Sequence, residues 1–390
     1  MQEMESRGFG SKEVFSNIAQ IRLHFSFKQA MWCNLLASTK ADCPTCLALN
    51  IKLLMQHFLK SYLGLGDVLE KVHRLDLFLS IMISMEIINQ TKTTGFILLG
   101  LEGSYTQLVF LFVLFLLLYI ATLCANFVTI ALVLGSRRLH TPMYFFLSQL
   151  SSSDILLSTN IVPNLLCALL KEGKDMSVPS CISQFFACSS FTAAECFILA
   201  VMSLDRYVAI CNPLRYVSIM SIKLSVHLVL WSWLLSFLLC VIVAVFVSLL
   251  EFCGLNAIDY IYCDFAPLLE VSCSDTSTVE IIAIAFTFPI IIFPFLVIIL
   301  TYTSISFSIM KISTNSGRQK SFSTCSSHLA VVCTFYSILI AKYTVPSKGQ
   351  SLNISKVISL LYIVVTPLLN PIIYSLRNNE IRKALIKWIS

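Results

Sequence analysis

Four stretches of the chain, residues 108–134, 224–250, 281–310 and 357–376, contain no Asp, Glu, Lys or Arg. Each is long enough to cross the hydrocarbon core of a bilayer as a helix, which takes roughly 20 apolar residues. Within that core a helix or a closed barrel is the only backbone that satisfies its own polar groups. Three further stretches are nearly as apolar: 142–170 with Asp154, 181–204 with Glu195, and 321–341 with His328. The chain therefore reads as an all-α membrane protein, a bundle of seven transmembrane helices embedded in a lipid bilayer.

Composition agrees. Hydrophobic residues are 57% of the chain and charged residues 12%, against about 25% charged in an average soluble domain. The net charge of +6 does not point to nucleic acid, because Lys and Arg fall in the gaps between spans and form no solvent-facing stripe. Their distribution sets orientation instead. The gaps after spans one, three and five and the C-terminal tail hold twelve Lys or Arg residues, among them Arg137, Arg206, Lys223 and Lys383; the other side, counted from Met85, holds six. The positive-inside bias predicts a cytoplasmic C-terminus and an extracellular N-terminus, with the plasma membrane as location. Two glycosylation triplets, at Asn89 and Asn353, fall on the predicted outer side, and Asn89 is the candidate acceptor.

Residues 1–84 differ in character, with scattered charges and no apolar run long enough to span. They read as an N-terminal extension outside the functional unit, and Met85 as the start of that unit, residues 85–390. Cys43 and Cys46 have redox or zinc spacing but no second pair to complete a site. They are assigned no function.

Four motifs punctuate the bundle. Leu139-His140-Thr141-Pro142-Met143-Tyr144-Phe145-Phe146 precedes span two, and Asp205-Arg206-Tyr207-Val208-Ala209-Ile210-Cys211 ends span three. Ser323-Thr324-Cys325-Ser326-Ser327-His328 opens span six, and Pro367-Leu368-Leu369-Asn370-Pro371-Ile372-Ile373-Tyr374 ends span seven. Arg206 beside Asp205 is a cation that needs pairing near lipid, and a pair that can break is a switch. Pro371 removes a backbone hydrogen bond, so span seven must find other partners for the groups it frees. Asp154 and Glu195, with Asn126 in span one, should face the interior. Cys181, Cys253, Cys263 and Cys273 fall on the predicted outer side, where three pairings are open.

In this order, the motifs closely resemble the vertebrate odorant receptor family, within the rhodopsin-like G-protein-coupled receptors, from residue 85 to 390. The resemblance implies a receptor for a small-molecule odorant that activates a heterotrimeric G protein of the olfactory stimulatory type and raises cyclic AMP. It implies that Asp205, Arg206, Tyr207, Asn370, Pro371 and Tyr374 form the G-protein switch, and it selects the disulfides Cys181–Cys263 and Cys253–Cys273. By resemblance too, Asn126, Asp154, Glu195 and Asn370 surround a sodium ion or a water cluster, a plain hydrogen-bonded network being the alternative. Three residues depart from the family pattern: Leu204 stands where Tyr is usual, Ala125 where Gly is usual, and Lys342 where an apolar residue is expected. Lys342 is predicted to snorkel to the surface, with attraction of an acidic ligand as the alternative.

Helical spacing nominates ligand contacts: Cys188, Ser189 and Thr192 in span three, Phe286 and Ile290 in span five, and Tyr336, Leu339, Ile340 and Tyr343 in span six. This lining is apolar with a few hydroxyls and no carboxylate, which suits a small volatile or lipophilic molecule with one polar group and does not suit a protonated amine. No phosphate loop, nucleophile elbow or metal-spaced cluster marks an enzyme, a metal site or a cofactor. A transporter would show inverted repeats with paired broken helices, and the prolines do not fall in matching halves. A non-olfactory receptor of the same architecture stays open.

Overall fold

A computed structural model describes residues 95–171, 173–253, 257–345, 351–377 and 379–389. It contains seven helices long and apolar enough to cross a membrane: α1 (Tyr105–Gly135), α2 (Pro142–Lys171), α3 (Val178–Cys211), α4 (Ile222–Ser248), α5 (Ser277–Met310), α6, whose apolar part is Cys325–Thr344, and α7 (Leu352–Tyr374). A further helix, α8 (Asn379–Ile389), follows α7. The proposed extension 1–84 and Asn89 lie outside the described residues.

Helix starts follow local chemistry. Ser104 precedes α1 and donates its N–H to Gln107 Oε1 at 2.9 Å. Ser177 caps α3, accepting from the Ser180 N–H at 3.3 Å, and Ser221 caps α4, accepting from Leu224 N–H at 3.3 Å. Each side-chain oxygen takes a donor the first turn leaves orphaned. Helices α5 and α7 each contain a π-helical turn, Phe288–Ile292 and Leu361–Val365. Pro289 lies within the first and Pro294 just after it, and Pro367 follows the second, so in both helices the wide turn lies where proline interrupts the ordinary ladder.

Helix α3 is the axis of the bundle, packed against α2, α4 and α5. Small residues allow that approach: Ala187, Ala193, Ala194 and Ser190 are fully enclosed. The outer faces of the surrounding helices present Phe110, Leu117, Trp231, Ile284 and Leu300, all exposed, while Asn126, Asp154, Gln149 and Glu195 are buried. Apolar outside and polar inside is the arrangement a lipid solvent rewards. Cys240 is a buried small hydrophobe, whereas Cys124, Cys167 and Cys333 lie on exposed faces.

At one end the connecting segments form a three-stranded sheet. β1 (Gly95–Leu98) pairs antiparallel with β2 (Lys174–Ser177) and parallel with β3 (Ala257–Ile258). Gly100, at φ +73°, turns the chain out of β1 in the left-handed region that glycine tolerates best. Cys181 is bridged to Cys263 with Cα atoms 5.4 Å apart, and Cys253 to Cys273 at 5.9 Å. The first bridge fastens the loop between α4 and α5 to α3. The triplet at Asn353 lies in the first turns of α7, and its Ser355 is buried, so its use as an orientation marker is weaker than the sequence implied.

Candidate functional site

The middle of the bundle holds a polar core. Pro371 has no N–H to give the carbonyl of Pro367, and Asn126 of α1 supplies the missing donor: its Nδ2 lies 2.9 Å from Pro367 O and 3.1 Å from Thr122 O. Asn370 Nδ2 donates to both carboxylate oxygens of Asp154, at 3.0 and 3.1 Å. Three helices, α1, α2 and α7, are thus joined through groups that a proline made necessary. Glu195 of α3 is fully buried and near enough to Asp154 for their charges to repel. Both of its oxygens, and Asn126 Oδ1, have no hydrogen-bond partner among the described residues. A buried carboxylate without donors is costly, so this core has capacity for a guest that supplies them or for a cation.

Toward the α8 end, Arg206 Nε donates to Asp205 Oδ2 at 3.0 Å, and its guanidinium forms a salt bridge with the same oxygen. The other Asp205 oxygen accepts from Tyr216, in the loop after α3, at 2.8 Å. Burial, and next the Asp205 charge, push the Tyr216 hydroxyl above its ordinary pKa, so it stays a proton donor at neutral pH. Tyr207 packs against a cluster of Ile305, Ile309 and Cys325. Tyr302 of α5 and His328 of α6 share a hydrogen bond at 2.6 Å and stack with centroids 5.7 Å apart. Tyr374 is 1% exposed and its hydroxyl is unpartnered among the described residues.

Toward the sheet end, the predicted ligand contacts divide. Thr192 and Tyr362 share a hydrogen bond at 2.5 Å, closing α3 onto α7. Cys188, Thr192, Tyr336 and Leu339 are buried, and Ser189, Phe286 and Ile290 are half-buried, Ile290 against Ala193, Phe197 and Cys240. Tyr336 packs on Phe295 with centroids 4.5 Å apart. Ile340 and Tyr343 differ from the rest in being 51% and 61% exposed. The buried face of α6 runs through His328, Val332, Phe335, Leu339 and Lys342 at three- and four-residue steps. A reading anchored on Tyr336, at its edge, rotates off that face by Ile340, and Tyr343 lies at the helix end with its ring uncovered. An open cleft of about 310 Å³ lies at the ends of α1 and α2, lined by Gly103, Tyr105, Leu108 and Leu169–Lys171. It contains none of the predicted contacts.

Lys342 is a correction. Its side chain is 10% exposed and turned inward, with Nζ 3.0 Å from Asp264 Oδ2 and donating to Tyr262 OH at 2.6 Å. It does not snorkel, and the lining is not free of carboxylates. Nearby, Lys356 of α7 pairs with Asp259 at 2.5 Å and donates to Gly100 O at 3.0 Å, and Tyr260 OH lies 2.9 and 2.8 Å from the Ser355 and Ser359 hydroxyls.

The olfactory receptor family model matches residues 115–390. Olfactory receptor 5G3 of Homo sapiens is 44% identical over 305 residues, covering 78% of this chain and 97% of that protein. Olfactory receptor 5P81 of Mus musculus is 45% identical over 302 residues, covering 77% and 96%. The chain belongs to the olfactory receptor family. Squid rhodopsin, at 17% identity, superposes with a TM-score of 0.60 over 74% of this chain and 87% of that one, which shows the shared seven-helix fold. This olfactory receptor is therefore a multi-pass membrane receptor and not an enzyme. Sequence reasoning missed Tyr216, Tyr302, Phe335 and Tyr362; only Phe335 was within reach, one residue from the position chosen on α6.

Proposed function

We propose that this olfactory receptor is an odorant receptor of the plasma membrane that binds a small volatile or lipophilic ligand among α3, α5 and α6 and activates a heterotrimeric G protein. The G protein is of the olfactory stimulatory type, raising cyclic AMP, with the sheet end outside the cell and α8 in the cytoplasm. The observation that carries the reading is the line of buried polar groups from the Thr192–Tyr362 pair, past Glu195, Asp154 and Asn370, to Asp205–Arg206. It joins the contact between α3 and α7 at the sheet end to an ion pair at the α8 end.

The mechanism is a population shift. Ligand enters where Thr192 and Tyr362 now touch, so it binds best to a packing in which they are apart; only that differential affinity moves the equilibrium. In the other packing Arg206 leaves Asp205 for the G protein, and Tyr374 gains the partner it lacks. Glu195, with Asn126, Asp154 and Asn370, holds water or a sodium ion between the two ends. Residues 85–390 suffice, which fits relatives covered almost completely by about three quarters of the chain.

The test is cyclic AMP output from cells expressing the full chain or residues 85–390, exposed to an odorant panel beside Arg206→Ala at matched surface level. The expected result is a response in both wild-type forms and at least a tenfold loss with Arg206→Ala, as removal of about 1.4 kcal/mol or more of coupling requires. Silence across a broad panel at good surface expression rejects the reading.

A further inference from the structure

We propose that Lys342 is the ligand-anchoring cation of this receptor and that the ligands it selects are small carboxylates. The proposal rests on the receptor reading above and narrows its ligand class. Lys342 lies on the buried face of α6, in line with Phe335 and Leu339, and its side chain is nine-tenths enclosed. A buried ammonium is tolerated only when paired. Its Nζ lies 5.3 Å from the ring centroids of Tyr262 and Tyr362 and 5.9 Å from that of Tyr343. Tyr362 in turn bonds Thr192, so the ammonium borders the ligand face of α3.

An ammonium has three N–H donors. Tyr262 OH and Asp264 Oδ2 account for two, and among the described residues no polar atom takes the third. Asp264 has donors besides Lys342: Oδ1 accepts from the Phe265 N–H at 2.9 Å, capping a short helix, and Oδ2 accepts from Tyr262 OH at 2.9 Å. Burial, with the Asp264 charge behind it, holds the Tyr262 hydroxyl well above its ordinary pKa, so it keeps that proton. Asp264 is thus an internal carboxylate where a ligand's carboxylate would approach. The other lysine at this end serves differently, since Lys356 reaches both Asp259 and the Gly100 carbonyl and fastens strand to helix. Below Lys342 the face is apolar. Six residues of helix, about 9 Å, separate it from Tyr336; Leu339 and Phe335 between them are packed in this structure, and an aliphatic tail would lie along them in the packing that opens when Thr192 and Tyr362 part. Glu251 and Asp275 on the loop and Glu280 in the first turn of α5 are exposed, where salt screens them over about 8 Å; they do not cancel the cation at Lys342.

The experiment is thermal unfolding of the purified full chain titrated with hexanoate, hexan-1-ol and hexylamine. Hexanoate is expected to raise Tm and to bind most tightly. Lys342→Met weakens hexanoate on the order of 10- to 100-fold, the weight of one charge-assisted hydrogen bond, and leaves hexan-1-ol unchanged; Lys342→Arg keeps the preference. Asp264→Asn, which retains a capping side chain, tightens hexanoate by removing its competitor. Equal hexanoate affinity in Lys342→Met, no shift with hexanoate in the wild type, or an Asp264→Asn loss as large as that of Lys342→Met each overturns the proposal. If Lys342→Met fails to fold, Lys342→Gln carries the same comparison. A cyclic AMP response to alcohols without one to acids removes the carboxylate assignment while leaving the receptor reading standing.

Discussion

The two ends of the bundle are held by different kinds of contact. At the sheet end, partners are far apart in sequence: Cys181 bridges to Cys263, Lys342 reaches back to Asp264, Lys356 to Asp259 and Gly100, and Tyr260 forward to Ser355 and Ser359. Together these tie the loop between α4 and α5 to α3, α6 and α7, and α7 also to the segment before α1. At the α8 end Arg206 pairs with its own neighbour and Tyr216 with a residue eleven positions away. Such local pairs satisfy buried charge without fixing one helix against another. Tyr302 with His328 and Cys211 with Ser308, at 3.1 Å, are cross-helix contacts there, and Tyr374 has a hydroxyl without a partner among the described residues. The sheet end is cross-tied through one long loop, and the opposite end relies more on local pairs.

Breaking the register of the mouth has the largest expected effect. Cys181→Ser opens a loop closed across 82 residues. It should cost about 2–5 kcal/mol, seen as a lower Tm of the purified chain and weak surface expression. A variant that melts with the wild type would mean that the sheet and the two Lys–Asp pairs hold the mouth unaided, and that the contrast between the ends is not one of stability.

Next in size is the joint between the ends. Asn126→Ala leaves the Pro367 carbonyl buried with no donor, a penalty of about 1–3 kcal/mol. Its effect differs in kind from that of Cys181→Ser, because the carbonyl lies three residues from Asn370, on which Asp154 depends. The expected outcome is lower stability together with an altered ratio of basal to ligand-driven cyclic AMP. A fall in stability with that ratio unchanged would reduce the Asn126 contact to a structural repair of the proline kink.

Much of this was legible in the sequence, for a physical reason. A bilayer excludes charge, so the seven spans, the buried Asp154 and Glu195, and the need of Pro371 for a substitute donor can all be read from residue type and position. Which donor Pro371 recruits cannot, because Asn126 lies 241 residues from Pro367. Tyrosine hides for another reason: it suits lipid, interface and core alike, so Tyr216, Tyr302 and Tyr362 carried no signal of their roles. Lys342 shows a third limit. Its height along α6 was plain, but whether it turns outward to water or inward depends on Asp264, supplied by a loop whose fold rests on two disulfides. Rotation about the helix also decided Ile340, which shares the spacing of Tyr336 but not the buried face.

The smallest effect on stability tests the contrast most directly. Tyr216→Phe removes one donor from Asp205 and changes nothing at the mouth. Arg206 remains beside Asp205, so the loss should be about 1 kcal/mol, that of a single hydrogen bond. Because this bond holds Asp205 in the resting pair, its loss favours the packing in which Arg206 is free. The same 1 kcal/mol then raises the active fraction about fivefold, read as ligand-independent cyclic AMP at matched surface expression. The shift cannot come from titration, since the raised pKa of Tyr216 keeps its proton in place across physiological pH. Unchanged basal output would place the restraint on Arg206 with Asp205 alone; reduced output would show that Tyr216 supports the active packing instead, and the α8 end would then resemble the mouth in being held, not poised.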